Sequence, residues 1–116
     1  MTELNIGIAG HTAIYTEDEP GFGGANHKYI IVERISKAFL TSIRFQKGPI
    51  EEHVANGVPD EDLIKICIHR LQSFQAGDFK CRENAIALTR LEDALHWLDH
   101  RTRDRQKRGV EGKYEK

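Results

Sequence analysis

Five cations crowd one stretch near the end of the chain: Arg101, Arg103, Arg105, Lys107 and Arg108, with Asp104 and Gln106 between them. On a helix, Arg101, Arg105 and Arg108 share one face at i, i+4 and i+7. Guanidinium groups grip phosphate through paired donors and stack on adenine, so this face suits a small anion. The same cations also complement the negative end of a helix dipole, a role that needs no ligand. Upstream, Phe74 precedes Gln75-Ala76-Gly77 at a helix end, where a ring can line a cleft or pack in a core. Asn84 falls in the first turns of the next helix. Its amide suits a cap or a surface position, and it also matches the donor–acceptor edge of adenine. The segment from Phe22 to Lys28 (FGGANHK) offers backbone N–H groups and a cation, Lys28. It has neither the Walker spacing nor a GxGxxG before a helix, so an ordinary loop and a phosphate-approaching loop both stay open.

Catalysis finds less support. Ser36, Ser42 and Ser73 lie in no GxSxG elbow. The carboxylate pairs Glu51/Glu52 and Glu92/Asp93 are chain neighbours, which point apart on a strand and diverge on a helix. His96 and His100 stand four apart, but no HExxH or calcium-loop pattern accompanies them, and no metal site is read. Cys67 and Cys81 have no zinc or redox spacing and are expected to be free, buried thiols. The residue set is that of a binder, with no catalytic residue assigned.

Two textures must position these groups, and they meet near Pro59. Before it, Ile6–Ile8 and Thr12–Thr16 read as short strands around Gly10-His11, followed by a glycine-rich loop over residues 17–24. Lys28–Glu33 (KYIIVE) and Phe39–Phe45 (FLTSIRF) read as further strands, with a turn over residues 34–38. In the second of these, Phe39, Thr41, Ile43 and Phe45 should share one face. A last strand is expected from Ile50 to Ala55. After Pro59, Asp60, Glu61 and Asp62 suit a helix start. Leu63, Cys67, Leu71 and Phe74 recur at helical spacing, with Gly77 as the stop. A second helix from about Cys81 carries a seam of Leu88, Leu91, Leu95 and Leu98 and ends at Gly109.

The expected fold is therefore α+β: a small antiparallel β-sheet (about 1–57), then an antiparallel two-helix hairpin (about 59–109) with a long last helix. A mobile tail is expected over 110–116. With 116 residues this is one domain. A helix from Cys81 to Arg108 would run about 40 Å. That exceeds what five-residue strands span, which predicts self-association through its projecting end.

Composition narrows the classes further. Seventeen Lys and Arg against eighteen Asp and Glu give a formal net charge of −1, a poor start for a nucleic-acid binder. No apolar run approaches the ~20 residues of a membrane span. The start MTELNIGIAGHT lacks a basic region leading into an apolar core, so neither secretion nor membrane insertion is expected.

The runs RLQSFQAG and CRENAIALTRLEDALHWLDHRTRDRQKRGVEG resemble the phage Thoeris anti-defence 1 family over Leu63 to Gly112. GFGGANHKYII resembles it more loosely. The resemblance implies viral proteins that bind a cyclic ADP-ribose immune signal and hold it uncleaved. It implies an N-terminal sheet, a C-terminal helix pair and assembly from dimers into larger oligomers, here a dimer or hexamer. The implied ligand is glycocyclic ADP-ribose, and some members also take CBASS cyclic oligonucleotides at separate sites. The family's aromatic, asparagine and arginine contacts fall on Phe74, Asn84 and Arg101, with Arg105 as a neighbouring cation. Its cation from the sheet falls on Lys28, with Arg34 or Arg44 as alternatives. No cofactor, nucleic acid or membrane partner is implied, and the site of action is the cytoplasm of the infected bacterial host. Two rivals remain: a phosphodiesterase or hydrolase using His96 and His100, and a protein-interaction module without nucleotide affinity.

Overall fold

The computed structural model describes residues 1–48 and 54–109. These residues form two compact units, a sheet (1–48 with 54–58) and a helical hairpin (59–109). The α+β arrangement is as expected: three antiparallel strands followed by two helices, the last one long.

The sheet consists of β1 (Thr12–Thr16), β2 (Lys28–Glu33) and β3 (Phe39–Arg44), in that spatial order. Its β-branched and aromatic content suits a pleated, half-buried surface. Ala13 pairs with Val32, and these two are the buried apolar residues of the unit among those described. The hairpin between β2 and β3 is wired by polar groups. Glu33 accepts the Ser36 N–H at 2.7 Å, the Lys37 N–H reaches the Glu33 carbonyl at 2.9 Å, and Lys37 turns the chain at φ +65°.

Two expectations are corrected in this unit, and a third lies mostly outside the described residues. Ile6–Ile8 is not a strand. The edge beside β1 is already taken by residues 2–4, where the Leu4 N–H reaches the Ile14 carbonyl at 2.9 Å and the Thr16 N–H reaches the Thr2 carbonyl at 2.8 Å. Gly7, at φ +73°, then turns the chain away, leaving Ile8 99% exposed. The single apolar face expected for the third strand is interrupted. A register shift beside Ile31 and Val32 puts Phe39, not Leu40, opposite Val32. The expected strand over Ile50–Ala55 lies mostly outside the described residues, and its described part, Val54 and Ala55, is not strand. Instead Asn56 clips the chain: its side chain accepts the Lys47 N–H at 2.8 Å and donates to the Lys47 carbonyl at 3.1 Å. Val58 then bridges Phe45 in parallel. Gly57 is required between them, because a Cβ there would overlap the Phe45 carbonyl. The expected tail over 110–116 also lies outside the described residues.

The helical unit holds α1 (Asp60–Gln75) and α2 (Arg82–Lys107), 16 and 26 residues. Pro59 caps α1, with Asp60, Glu61 and Asp62 in its first turn, where the helix dipole favours acids. Gly77 follows the end of α1 as expected. Gly109, at φ +74°, closes α2 in the left-handed conformation that glycine adopts without a Cβ penalty.

Two further corrections concern the helix faces. The less exposed stripe of α1 holds Leu63, Ile64, Ile68, Leu71 and Gln75, so Leu63 and Leu71 face in as expected, whereas Cys67 and Phe74 are exposed. Packing against Leu88, Leu91, Leu95 and Leu98 of α2 sets the edges of that stripe. The thiols are free but exposed, not buried. Cys67 sits on the outward face, and Cys81 lies at the start of α2, where its Sγ accepts the Asn84 N–H at 3.4 Å. Ile68 is the one buried residue of α1, and α2 has none among those described.

Candidate functional site

The hairpin carries chemistry at both ends. At its closed end, the side chain of Gln75 accepts the Cys81 N–H at 2.9 Å and ties the last residue of α1 to the start of α2. Phe74 lies here, 39% exposed, with the Arg70 guanidinium carbon 5.6 Å from its ring centroid. This spacing of four along α1 is the one that lets a cation cover a ring. Asn84 is half-buried in the first turn of α2. Cys81 takes the capping position, so the capping role open to Asn84 in the sequence is filled by another residue. Among the described residues, no hydrogen bond engages the Asn84 side-chain amide. A ring, a guanidinium and an amide therefore share one end of the hairpin, suited to stacking and edge recognition of a base.

At the open end, Arg101 is 57% exposed at its side chain and lies 4.0 Å from the Glu61 carboxylate, which is 15% exposed. Arg105 is half-buried, one turn further on. Arg108 pairs with Asp104 at 3.2 Å. Arg101 and Arg105 thus supply cationic donors at a helix end where they also oppose the dipole's negative pole.

The two ends do not meet within one chain. Asn84 and Arg101 are 17 residues apart on one straight element, about 25 Å at the helical rise. A ligand of nucleotide size cannot touch both in the same hairpin. Between α2's ends, Trp97 stands 60% exposed with His96 and His100 edge-on at 5.4 and 5.7 Å. No third metal-ligating residue gathers beside this histidine pair among the described residues.

In the sheet unit, Lys28 opens β2 and pairs with Glu17 at 3.5 Å. Its backbone is set by Asp18, whose carboxylate accepts the His27 N–H at 3.0 Å and the Lys28 N–H at 3.2 Å. Those bonds, the one from His27 first, hold the Asp18 carboxyl below its ordinary value. Of the alternative cations, Arg34 is committed to the fold: it donates to Gly10 and Thr12 carbonyls at 3.0 and 2.8 Å and to Glu3 at 2.8 Å. Arg44 is exposed. The residues that sequence reasoning passed over are Glu61, Arg70 and Asp18. Arg70 was within reach of it, through the four-residue step to Phe74. Glu61 and Asp18 reveal themselves only by what they touch.

By class, this is a small α+β protein whose helical hairpin bears nucleotide-compatible groups at both ends. A family model described as "Acb2/Tad1, hairpin domain" matches residues 41–103, and the chain belongs to this family. It is similar to "Thoeris anti-defense 1" of Bacillus phage SBSphiJ7, at 48% identity over 108 residues, covering 93% of this chain and 75% of that protein. No helix among the described residues is long and apolar enough to cross a membrane.

Proposed function

We propose that this phage anti-defence protein acts by capturing a cyclic ADP-ribose-type immune signal, glycocyclic ADP-ribose of Thoeris, and holding it without cleavage. The anti-defence role itself follows from its family and from the relative's name. The observation that carries the finer reading is the division of the hairpin into a ring-and-amide end and a guanidinium end about 25 Å apart. Stacking on Phe74, edge recognition by Asn84 and neutralisation of a diphosphate by Arg101 and Arg105 are three parts of one nucleotide site. They come together where the closed end of one copy meets the open end of a second. Lys28 is the cation offered by the sheet.

A homo-oligomer, a dimer or hexamer, fits the poor self-burial of the chain. A hairpin with one buried residue among those described, and with Ile66, Phe79 and Trp97 well exposed, has apolar surface left to cover. Enclosure between subunits slows ligand escape, where tight binding resides. Action in the cytoplasm of the infected host follows from where such a signal is made. A second site for CBASS cyclic oligonucleotides belongs to the same proposal.

The test is capture and release. Purified protein is mixed with glycocyclic ADP-ribose and filtered, the retained fraction is heat-denatured, and both fractions are chromatographed. Depletion of the filtrate followed by recovery of intact ligand is the expected result. A new product in place of the ligand would make the protein an enzyme and direct attention to His96 and His100. Ligand left in the filtrate would overturn the proposal.

A further inference from the structure

We propose that Glu61 is a positioning residue that pre-orients Arg101 for its anion. The inference rests on the reading of Arg101 as a diphosphate contact. Its basis is an asymmetry in the one ion pair that joins the two helices among the described residues. The Glu61 side chain is 15% exposed, whereas that of Arg101, its partner at 4.0 Å, is 57% exposed. A largely buried carboxylate thus stands in charge contact with an exposed guanidinium, beyond hydrogen-bond distance. Asp104, the nearby acid on α2, pairs with Arg108 at 3.2 Å. The helix dipole explains an acid in the first turn of α1, but Asp60 and Asp62 satisfy it equally. It does not explain why a half-buried first-turn acid lies against Arg101.

A guanidinium presents its donors in one rigid fork, and Glu61 approaches it through Nη2. At 4.0 Å this is charge attraction and not a hydrogen bond, so it biases where the fork points and leaves its donors for the anion. An arginine held before binding loses less rotamer freedom when the anion arrives, which strengthens the complex through slower release. The carboxylate also opposes an incoming anion, an effect that belongs to the association rate and is screened by salt. The two effects separate in kinetics. On release the positioning effect is expected to prevail, because Arg101 is the group assigned to touch the anion.

The experiment follows release of glycocyclic ADP-ribose from wild type, Glu61→Gln, Glu61→Asp, Arg101→Ala and the Glu61→Gln/Arg101→Ala double variant. Glu61→Gln should release the ligand about 5–10-fold faster, and Glu61→Asp should recover part of the loss. In the Arg101→Ala background, Glu61→Gln should change release by less than about twofold, since a residue acting through Arg101 has nothing left to act on. Without ligand, ¹⁵N relaxation of the Arg101 Nε–H should show faster motion in Glu61→Gln at unchanged melting temperature. An equal effect of Glu61→Gln in both backgrounds, or unchanged Nε–H motion, would overturn the inference while leaving the site assignment standing. Wild-type retention by Arg101→Ala would overturn both.

Discussion

The sheet and the hairpin solve the same problem, a small chain with little to bury, in opposite ways. The sheet unit is clipped together by polar side chains. Asp18 accepts the His27 and Lys28 N–H groups where β2 begins, Arg34 ties Glu3, Gly10 and Thr12, and Asn56 binds both the N–H and the carbonyl of Lys47. The clips span from 9 to 31 residues of chain and satisfy groups that a thin core would leave wanting. The hairpin has few such links. It relies on a leucine seam that leaves most of its surface outside, including its aromatic and cationic groups. The lesson is a division of labour: the unit that completes itself internally offers a scaffold, and the one left open offers a surface for binding.

That contrast breaks most visibly at Arg101. Arg101→Glu should weaken ligand retention by about 100-fold or more, as loss of a charge pair with a phosphate does. The protein should stay folded with a modestly lowered melting temperature, because the exposed position tolerates the change but the new acid faces Glu61; calorimetry together with the filtration assay checks both halves. Gly57→Ala should do the reverse, costing about 1–3 kcal/mol through overlap with the Phe45 carbonyl. Hydrogen exchange should then show protection lost in β3 and kept along the hairpin.

Acid sharpens the comparison next. Asp18 has a folded pKa below its ordinary 3.8, so its contribution is complete above that value and disappears as pH falls through the folded value. Glu33, held down chiefly by the Ser36 N–H, behaves alike below its ordinary 4.5. Wild-type melting temperature should decline as pH drops below about 4, and Asp18→Asn should flatten part of that decline. An unchanged slope in the variant would remove Asp18 from the account. The smallest effect is expected at Cys81. Replacing the sulfur acceptor by alanine should cost about 0.5 kcal/mol, and Cys81→Ser should recover or exceed wild type, since serine is a better cap. Thermal melts of the three proteins read this directly.

Much of the fold was legible beforehand. KYIIVE became β2 with its expected ends, because β-branched residues flanked by glycine-rich and turn segments leave little alternative. Pro59, the acid triplet, Gly77 and Gly109 marked the helix limits through backbone geometry and dipole, which are local properties. Ile6–Ile8 misled because the residue types of a strand were present without a free edge to pair with. The stripe on α1 misled at Cys67 and Phe74 because periodicity states that a face exists and does not fix its edges. Phe74 and Cys67 went from inward to outward on that difference alone.

The candidate site divides on the same line. Residue type and spacing were enough to single out Phe74, Asn84 and Arg101 as groups able to stack, read an edge and hold phosphate, since those capacities belong to the side chains themselves. What the chain alone determined, then, was the element order, the helix ends and the chemical vocabulary, all set by interactions within a few residues. The tertiary structure decided which helix face turned inward, that Arg34 serves the fold, and that Glu61 stands against Arg101. These depend on pairings between segments distant in sequence, and no local pattern encodes the partner.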